Sequence, residues 1–331
     1  PGCGNVQDRF ISSPMGLHMS RSVCLGENAP KTLFQATEGV SFVSVNYCNG
    51  ELTRSCLLRT YESLDSFQRQ HCQFVIIDNA SENGDYARLI DAPWPPGMQI
   101  TLVKAERNGG FGYGCNLGAS NSLYENLFFL NSDAWLVDAT ELQTAVETLQ
   151  QPACGAIFPS IAEDGGAPHP NGIAVPTFGA MLLGGLKVGS FLRATLGAEW
   201  LKRSGSFLPF NYIQAFRNED STTPIPIEIG TGAAFLMRRS YFQELGGFDE
   251  GFFLYDEDRD LFVRSRSAGR QHWLLPRLRV ITRNSSTTSN LPPRRLKEIK
   301  RDSRARYIRK HFTGLRRDIL LGMNQFTWKL Y

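Results

Sequence analysis

What this sequence has little of narrows it first. Its seven cysteines (Cys3, Cys24, Cys48, Cys56, Cys72, Cys115 and Cys154) are odd in number, fall in the first half of the chain and form no C-x-x-C. That excludes a fully paired disulfide framework and a cysteine zinc site, and points to reduced, mostly buried thiols in a cytosolic protein. No run approaches the ~18 uninterrupted apolar residues of a spanning helix, and residues 1–30 lack the basic-then-apolar layout of a secretion signal. The chain is therefore expected in the cytoplasm, or peripheral on the cytoplasmic face of the inner membrane. Only five histidines are present. An excess of one charge is also missing, with 35 Lys and Arg against 32 Asp and Glu. With 42% hydrophobic residues, 331 residues can bury a sizeable core, which excludes a disordered or fibrous chain.

The net charge of +3 is an average of two unlike parts. Residues 291–331 hold 12 basic and 3 acidic side chains, so +9 sits in the tail and −6 in the rest. Basic positions recur there every three or four residues, interleaved with Leu296, Ile299, Tyr307, Ile308 and Phe312, which predicts amphipathic helices. A solvated helix face is one use of that charge. Attraction to an anionic membrane is the rival, and nucleic acid is disfavoured because no recognised binding module accompanies the charge.

From Val40 short apolar runs alternate with longer amphipathic stretches. The runs Val40–Val45, Phe74–Ile77, Ile100–Val103, Leu127–Leu130 and Gly155–Phe158 read as buried strands of a parallel sheet. Glu51–Leu64, Gly84–Ile90, Gly112–Tyr124 and Asp138–Leu149 read as the helices between them. The pattern predicts an α/β fold, an open, mostly parallel, Rossmann-like sheet flanked by helices. Four divisions are expected: an extension over 1–38, part of it not native to the protein, an α/β half over 39–158, a second half over 159–290 and the helical tail over 291–331. Within the second half, Phe178–Leu201 is almost uncharged and reads as a buried helix or a lipid-facing surface.

In such sheets ligands bind beyond the carboxyl ends of the strands. Four of these ends are polar: Asn46-Tyr47-Cys48-Asn49, Asp78-Asn79-Ala80-Ser81, the glycine loop from Asn108 to Asn116, and Asn131-Ser132-Asp133. Asn, Asp and Gly also make turns, but all four ends in order predict one polar cleft. The glycine loop is not a dinucleotide fingerprint, because the last glycine that G-x-G-x-x-G requires is Leu117 and the loop follows the third strand.

In their order, the segments VSVNYCN, VIIDNAS, RNGGFGYGCNLG, FLNSDA and GTGAAFLMRRSYFQELGGFDEGFFLYDEDRDLFVR resemble the inverting family 2 glycosyltransferases of the GT-A fold, in particular their bacterial rhamnosyltransferase-like branch, over about Val40 to Arg264. The resemblance makes 39–158 the half that binds a nucleotide sugar and 159–290 the acceptor-binding, catalytic half. It implies a pyrimidine diphospho-sugar donor (dTDP- or UDP-linked) held around Asn46, Tyr47, Asp78, Asn108, Phe111, Gly112, Asn116, Ser132 and Asp133, with Asp78 reading the base. Read from the residues alone, Asp78 can equally cap the turn through Asn79 and Ser81. Asp133 takes the position of the family's metal-binding acid, which implies Mg²⁺ or Mn²⁺. Only one acid stands there, since the motif starts with Asn131; as a bare residue Asp133 could instead cap a helix beginning near Asp138.

Residues 249–264 carry the densest signal, with Asp249, Glu250, Asp256, Glu257, Asp258 and Asp260 among Phe252, Phe253 and Tyr255. Acids at a helix start are favourable for its dipole, and Asp260 can pair with Arg264. That accounts for one or two of them, and crowding raises pKa values among the rest. Glu257-Asp258-Arg259-Asp260-Leu261 matches the family's E-D-x-D-L motif, which makes Asp258 the catalytic base, with Asp256 in reserve. By the same resemblance Thr231, Gly232, Asp256 and Glu257 face the acceptor, although Gly230-Thr231-Gly232 also reads as a tight turn. The branch often has a His near the donor phosphates where this chain has Ile281 to Ser286, so Arg283 is expected to supply the charge. The function implied is an inverting, metal-assisted transfer of a sugar, rhamnose in the branch, to a glycan or lipid-linked acceptor in surface polysaccharide synthesis. A sugar nucleotidyltransferase would want a basic glycine loop after the first strand, and a non-catalytic binding module would not need Asp78, Asp133 and Asp258 together.

Overall fold

The structure is a computed structural model that describes residues 39–82, 84–166, 168–169, 171–185, 223–283 and 292–329. The expected 1–38 extension, residues 186–201 of the apolar stretch and residues 284–286 lie outside the described residues.

The strands are β1 (Val40–Asn46), β2 (Cys72–Asp78), β3 (Ile100–Lys104), β4 (Asn126–Leu130), β5 (Ala134–Asp138), β6 (Cys154–Glu163), β7 (Pro168–His169), β8 (Ile225–Ile227), β9 (Ala234–Arg238) and β10 (Gln271–Thr282). The helices are α1 (Gly50–Ser63), α2 (Ser66–Gln70), α3 (Asp85–Ile90), α4 (Phe111–Ser120), α5 (Leu142–Leu149), α6 (Phe178–Gly185), α7 (Arg239–Glu244), α8 (Glu257–Ser267), α9 (Pro293–His311) and α10 (Gly314–Lys329). Among the described residues all ten strands join one sheet whose main path runs β3-β2-β1-β4-β9-β6-β10-β5. The first four are parallel, as the alternating pattern predicts.

Every residue of β1 and β2 is buried. Their side chains alternate between two cores, one on each face of the sheet. Phe42, Phe74 and Ile76 meet Leu57 of α1 and Leu142, Val146 and Leu149 of α5. Val43, Val45, Val75 and Ile77 meet Cys115 and Ala119 of α4 together with Phe242 of α7 and Leu261 of α8. Helices on both faces explain why these strands read as continuous apolar runs.

Two features depart from the sequence pattern. Residues 134–138 form β5, antiparallel to β10, and the helix expected from Asp138 begins only at Leu142. The stabilising partner of β5 is more than 140 residues away, which no local pattern records. The division expected at 158/159 falls inside β6, and β9 lies between β4 and β6, so strands of the two halves interleave. The helical tail is present as α9 and α10, with Ile299, Tyr307 and Ile308 buried. Among the described residues no helix is long and apolar enough to cross a membrane. Cys56, Cys72, Cys115 and Cys154 are buried, Cys48 is half-buried, and all five are unpaired; burial pushes the Cys56, Cys72 and Cys154 thiols up to about 12.

Candidate active site

The ends of β1 and β2 are in register, Asn46 opposite Asp78. Both side chains are buried, and the Asn46 Nδ2 donates to Asp78 Oδ1 at 2.9 Å and to Asp85 Oδ2 at 2.9 Å. Asp85 also accepts the Gly50 N–H at 2.8 Å, which ties the start of α1 to the start of α3. The second oxygen of Asp78 accepts the Ser81 N–H at 3.1 Å. Asp78 is fully buried and does the turn-capping work open to it, while the half-buried Tyr47, Cys48, Ala80 and Ser81 form the rim of this strand end. Cys48 and Ala80 have left-handed backbone, with φ of 56° and 57°. The third strand end is stitched in by Asn79, whose Nδ2 donates to Asn108 Oδ1 at 3.0 Å and to the Gly110 carbonyl at 3.1 Å.

The glycine loop is built for packing at least as much as for a ligand. A Cβ at Gly110, where φ is 90°, would overlap the Phe253 carbonyl, and the Phe111 N–H donates to that carbonyl at 3.1 Å. Phe111 also meets Phe248 edge-on, and a Cβ at Gly112 would lie 2.9 Å from that of Phe248. Asn116 accepts the Phe248 N–H at 2.8 Å and donates to its carbonyl at 3.0 Å and to Glu250 at 2.9 Å. Phe111, Gly112 and Asn116 thus join the first half of the chain to the acidic segment.

Asp133 occupies a turn between β4 and β5, closed by the Ala134 N–H on the Asn131 carbonyl at 3.0 Å. Asp133 and Ser132 are buried, and the Asp133 carbonyl accepts the Arg283 N–H at 3.0 Å. Arg283 therefore lies beside Asp133, though its guanidinium pairs with Asp164 at 3.1 Å at an exposed position. Among the described residues no three His, Cys, Asp or Glu side chains come together as a metal cage. One hard carboxylate donor does fit a Mg²⁺ or Mn²⁺ ion whose other positions are taken by diphosphate oxygens and water.

The β4–β9 pairing connects this turn to the acidic segment. Leu130 is opposite Ala234, and the Asn131 N–H donates to the Ala233 carbonyl at 2.9 Å. The next residue back, Gly232, donates its N–H to Asp258 Oδ2 at 2.8 Å. A side chain at Gly232 would place its Cβ 2.8 Å from that of Asp258. The other Asp258 oxygen accepts the Arg259 N–H at 2.8 Å. Asn171 sets this loop from behind, its Oδ1 accepting both the N–H and the hydroxyl of Thr231 at 3.0 and 2.9 Å.

Crowding of the acids has the expected effect at one position. Burial, with the Asp258 charge beside it, pushes the Glu257 carboxyl well above the usual carboxylate range. Its Oε2 has no hydrogen-bond partner among the described residues. Burial alone would also raise Asp260, but hydrogen bonds from His311 and Lys310, with Arg264 at 2.8 Å, outweigh it and hold that carboxyl low. Asp249 is held low in the same way by Arg306 and Lys310. Asp256, the reserve base, is committed elsewhere: it is buried, with Arg259 at 2.7 Å and Arg304 at 2.8 Å on its two oxygens. Tyr255 and Asp256 are both left-handed, φ 70° and 64°. Such a backbone costs a non-glycine residue about 1–3 kcal/mol and persists only where its surroundings fix it. His272 is a buried structural residue of β10, held down at about 4 by burial, between the Glu228 carbonyl at 2.7 Å and Ser265 Oγ at 2.9 Å.

Residues 45–246 match the model of the family described as Glycosyl transferase family 2. The chain belongs to glycosyl transferase family 2. It is 30% identical over 142 residues, 43% of this chain and 41% of the other, to an N-acetylglucosaminyl-diphospho-decaprenol L-rhamnosyltransferase of Mycobacterium tuberculosis (strain ATCC 25618 / H37Rv). It is 27% identical over 240 residues, 71% of this chain and 17% of the other, to the O-antigen biosynthesis protein RfbC of Myxococcus xanthus. The chain thus spans less than half the length of these curated relatives. Among solved structures it is similar to GalNAc-T7 with UDP, GalNAc and Mn²⁺, at a TM-score of 0.55 and 16% identity over 87% of this chain and 55% of the other. The mannosyltransferase PcManGT from Pyrobaculum calidifontis, with GDP-Man and Mn²⁺, gives 0.50 at 17% identity, over 87% and 69%. At these identities the likeness shows the fold, and the fold is GT-A.

Several residues of the site carry no sequence signal of their own. Asn171 stands in the sequence Pro-Asn-Gly, Asp85 sits in the first turn of a short helix, and Arg304 is one of many basic residues in the tail. Each acts through a partner at least 39 residues away.

Proposed function

We propose that this chain is an inverting glycosyltransferase that moves a sugar from a pyrimidine nucleoside diphospho-sugar to a hydroxyl of a glycan or lipid-linked glycan. The observation that carries the reading is the single line of contacts from Asp133 through Asn131, Ala233 and Gly232 to Asp258. It brings the turn of Asp133 and the carboxylate of Asp258, read here as the diphosphate-side acid and the base, to the same end of the β4–β9 pair. Asp258 takes the proton of the acceptor hydroxyl while that oxygen attacks the anomeric carbon. The bond from that carbon to the diphosphate oxygen breaks, the nucleoside diphosphate leaves already charged, and one displacement inverts the centre. No partner acid is needed, unlike the two-carboxylate geometry of a glycoside hydrolase. A divalent cation at Asp133 would offset the charge of the leaving diphosphate. Glu257, whose pKa is raised by burial and by Asp258, can donate to an acceptor oxygen when protonated, and Thr231 and Gly232 let the acceptor approach closely.

The mycobacterial relative's name supports rhamnose as the sugar and a lipid diphosphate as the acceptor class. For such an acceptor we place the protein at the cytoplasmic membrane face through α10, which exposes Leu315 and Ile319 close to Arg316 and Arg317, and Phe326 farther along. Co-sedimentation with anionic vesicles at low salt is expected, and its absence sinks that placement. The donor reading is tested by thermal shift with dTDP-, UDP- and GDP-sugars, each with and without Mn²⁺. Stabilisation by the pyrimidine donors, increased by Mn²⁺, is expected; stabilisation by GDP-sugars alone overturns it.

A further inference from the structure

One polar side of α9 is turned toward the body of the protein, while Arg294, Arg295, Lys297, Arg301 and Arg309 stay exposed. Lys300, Ser303, Arg304, Tyr307, Lys310 and His311 recur at three- and four-residue spacing and share one side of the helix. That side lies against the segment that starts α8. The Lys300 ammonium sits 4.7 Å from the centre of the Tyr255 ring, and Ser303 Oγ donates to the Leu254 carbonyl at 2.7 Å. Arg304 meets both oxygens of Asp256, at 2.8 and 3.1 Å. Lys310 and His311 reach Asp260 at 3.0 and 2.8 Å.

These contacts surround a backbone that would not hold its shape unaided. Tyr255 and Asp256 are consecutive left-handed residues without being glycine, and the Asp256 carbonyl accepts the Asp260 N–H at 2.9 Å, the first turn of α8. A rotation at Asp256 therefore swings Asp258, two residues on, away from Gly232. We propose that Arg304 is a positioning residue for glycosyl transfer: through its two-pronged contact with Asp256 it fixes the left-handed entry to α8 and so the place of the Asp258 carboxylate. The inference rests on the reading of Asp258 as the base. A guanidinium suits the task because its rigid fork fixes direction as well as distance, which an ammonium cannot.

The test uses the full chain as Arg304→Gln, Arg304→Lys and Asp258→Asn variants, with dTDP-rhamnose and an N-acetylglucosaminyl diphosphate lipid as substrates, together with amide hydrogen exchange over residues 254–260. Arg304→Gln is expected to exchange faster over 255–258, and its kcat to fall by up to about 10²-fold, the cost of a misplaced reacting group. Its KM for the donor should stay within about twofold, since the interaction serves the transition state rather than donor binding. Arg304→Lys should recover part of both losses, and it carries the test if the glutamine variant does not fold. Unchanged exchange in Arg304→Gln overturns the proposal whatever the substrate, and so does a variant that melts earlier but turns over normally per folded molecule. Wild-type turnover by Asp258→Asn instead removes the base assignment, while faster exchange in Arg304→Gln would still report the clamp.

Discussion

Asp258 and Gly232 are joined by a 2.8 Å hydrogen bond from the Gly232 N–H to Asp258 Oδ2, across 26 residues of sequence. The bond leaves the carboxylate half-buried at the meeting point of β9 and α8. Asp258→Asn keeps the size and the fold but cannot take a proton. Its turnover is expected to fall by about 10²–10⁴, the usual size of general-base catalysis, with donor affinity retained. Steady-state kinetics beside donor titration measures both, and near-normal turnover would take Asp258 out of the role.

Gly232→Ala probes the same contact from the other side. The added Cβ would lie 2.8 Å from the Asp258 Cβ, so one of the two must shift. Displacing a reacting group by about 1 Å can cost 10²-fold in rate. A drop of that order with an almost unchanged melting temperature is expected, and equal losses in rate and stability would count against a positional effect.

Glu257 makes stability depend on pH with a definite sign. Its folded pKa is raised by burial and by Asp258, so the protonated form stabilises the fold and that contribution is complete below the unfolded value of about 4.3. It is lost as pH rises toward the folded pKa. Glu257→Gln has no proton to lose, so its melting temperature should pull ahead of wild type as pH increases from 4 to 8. Parallel melting curves across that range would show that Glu257 ionises in the fold as it does outside it.

Asp260 and Asp249 act in the opposite direction. Their folded pKa values are lowered by Lys310, His311 and Arg306, so their contribution is present above the unfolded value of about 3.9 and disappears as pH falls through the folded pKa. Lys310→Met is expected to flatten the acid limb of the stability curve, read by urea unfolding between pH 2 and 5. An acid limb as steep as that of wild type would deny Lys310 this role.

Asn46 is shared by two buried carboxylates. Asn46→Leu takes one donor from each of them, leaving Asp78 with the Ser81 N–H and Asp85 with the Gly50 N–H and Arg88, and leaving a buried acceptor oxygen under-satisfied costs about 1–3 kcal/mol. Denaturant titration should show at least that loss. A smaller loss, below about 0.5 kcal/mol, would mean that water replaces the amide.

Much of the architecture of the first half is legible in the sequence, because β1, β2, β3 and β4 are local apolar runs with helices between them. The polar strand ends are legible for the same reason, and Asn46, Asp78, Asn79 and Asn108 do meet. What local pattern cannot convey is who pairs with whom at a distance. Residues 134–138 look like a lead-in to a helix until β10 supplies the other half of the ladder. The roles of Phe111, Gly112 and Asn116 look ligand-directed until Phe248 and Phe253 are seen against them. The tail shows most clearly how composition misleads: Arg304, Arg306 and Lys310 count as surface charge in a sum over the sequence, yet each has an acidic partner in the 249–260 segment.

The interleaving of β9 between β4 and β6 has a mechanical consequence. The turn bearing Asp133 and the loop bearing Gly232 are rungs of one ladder and cannot swing apart like the jaws of a hinge. If Asp133 holds the leaving diphosphate and Asp258 is the base, as proposed, the spacing between leaving and attacking oxygens would be set when the sheet forms, and each round of turnover would begin from an already measured gap.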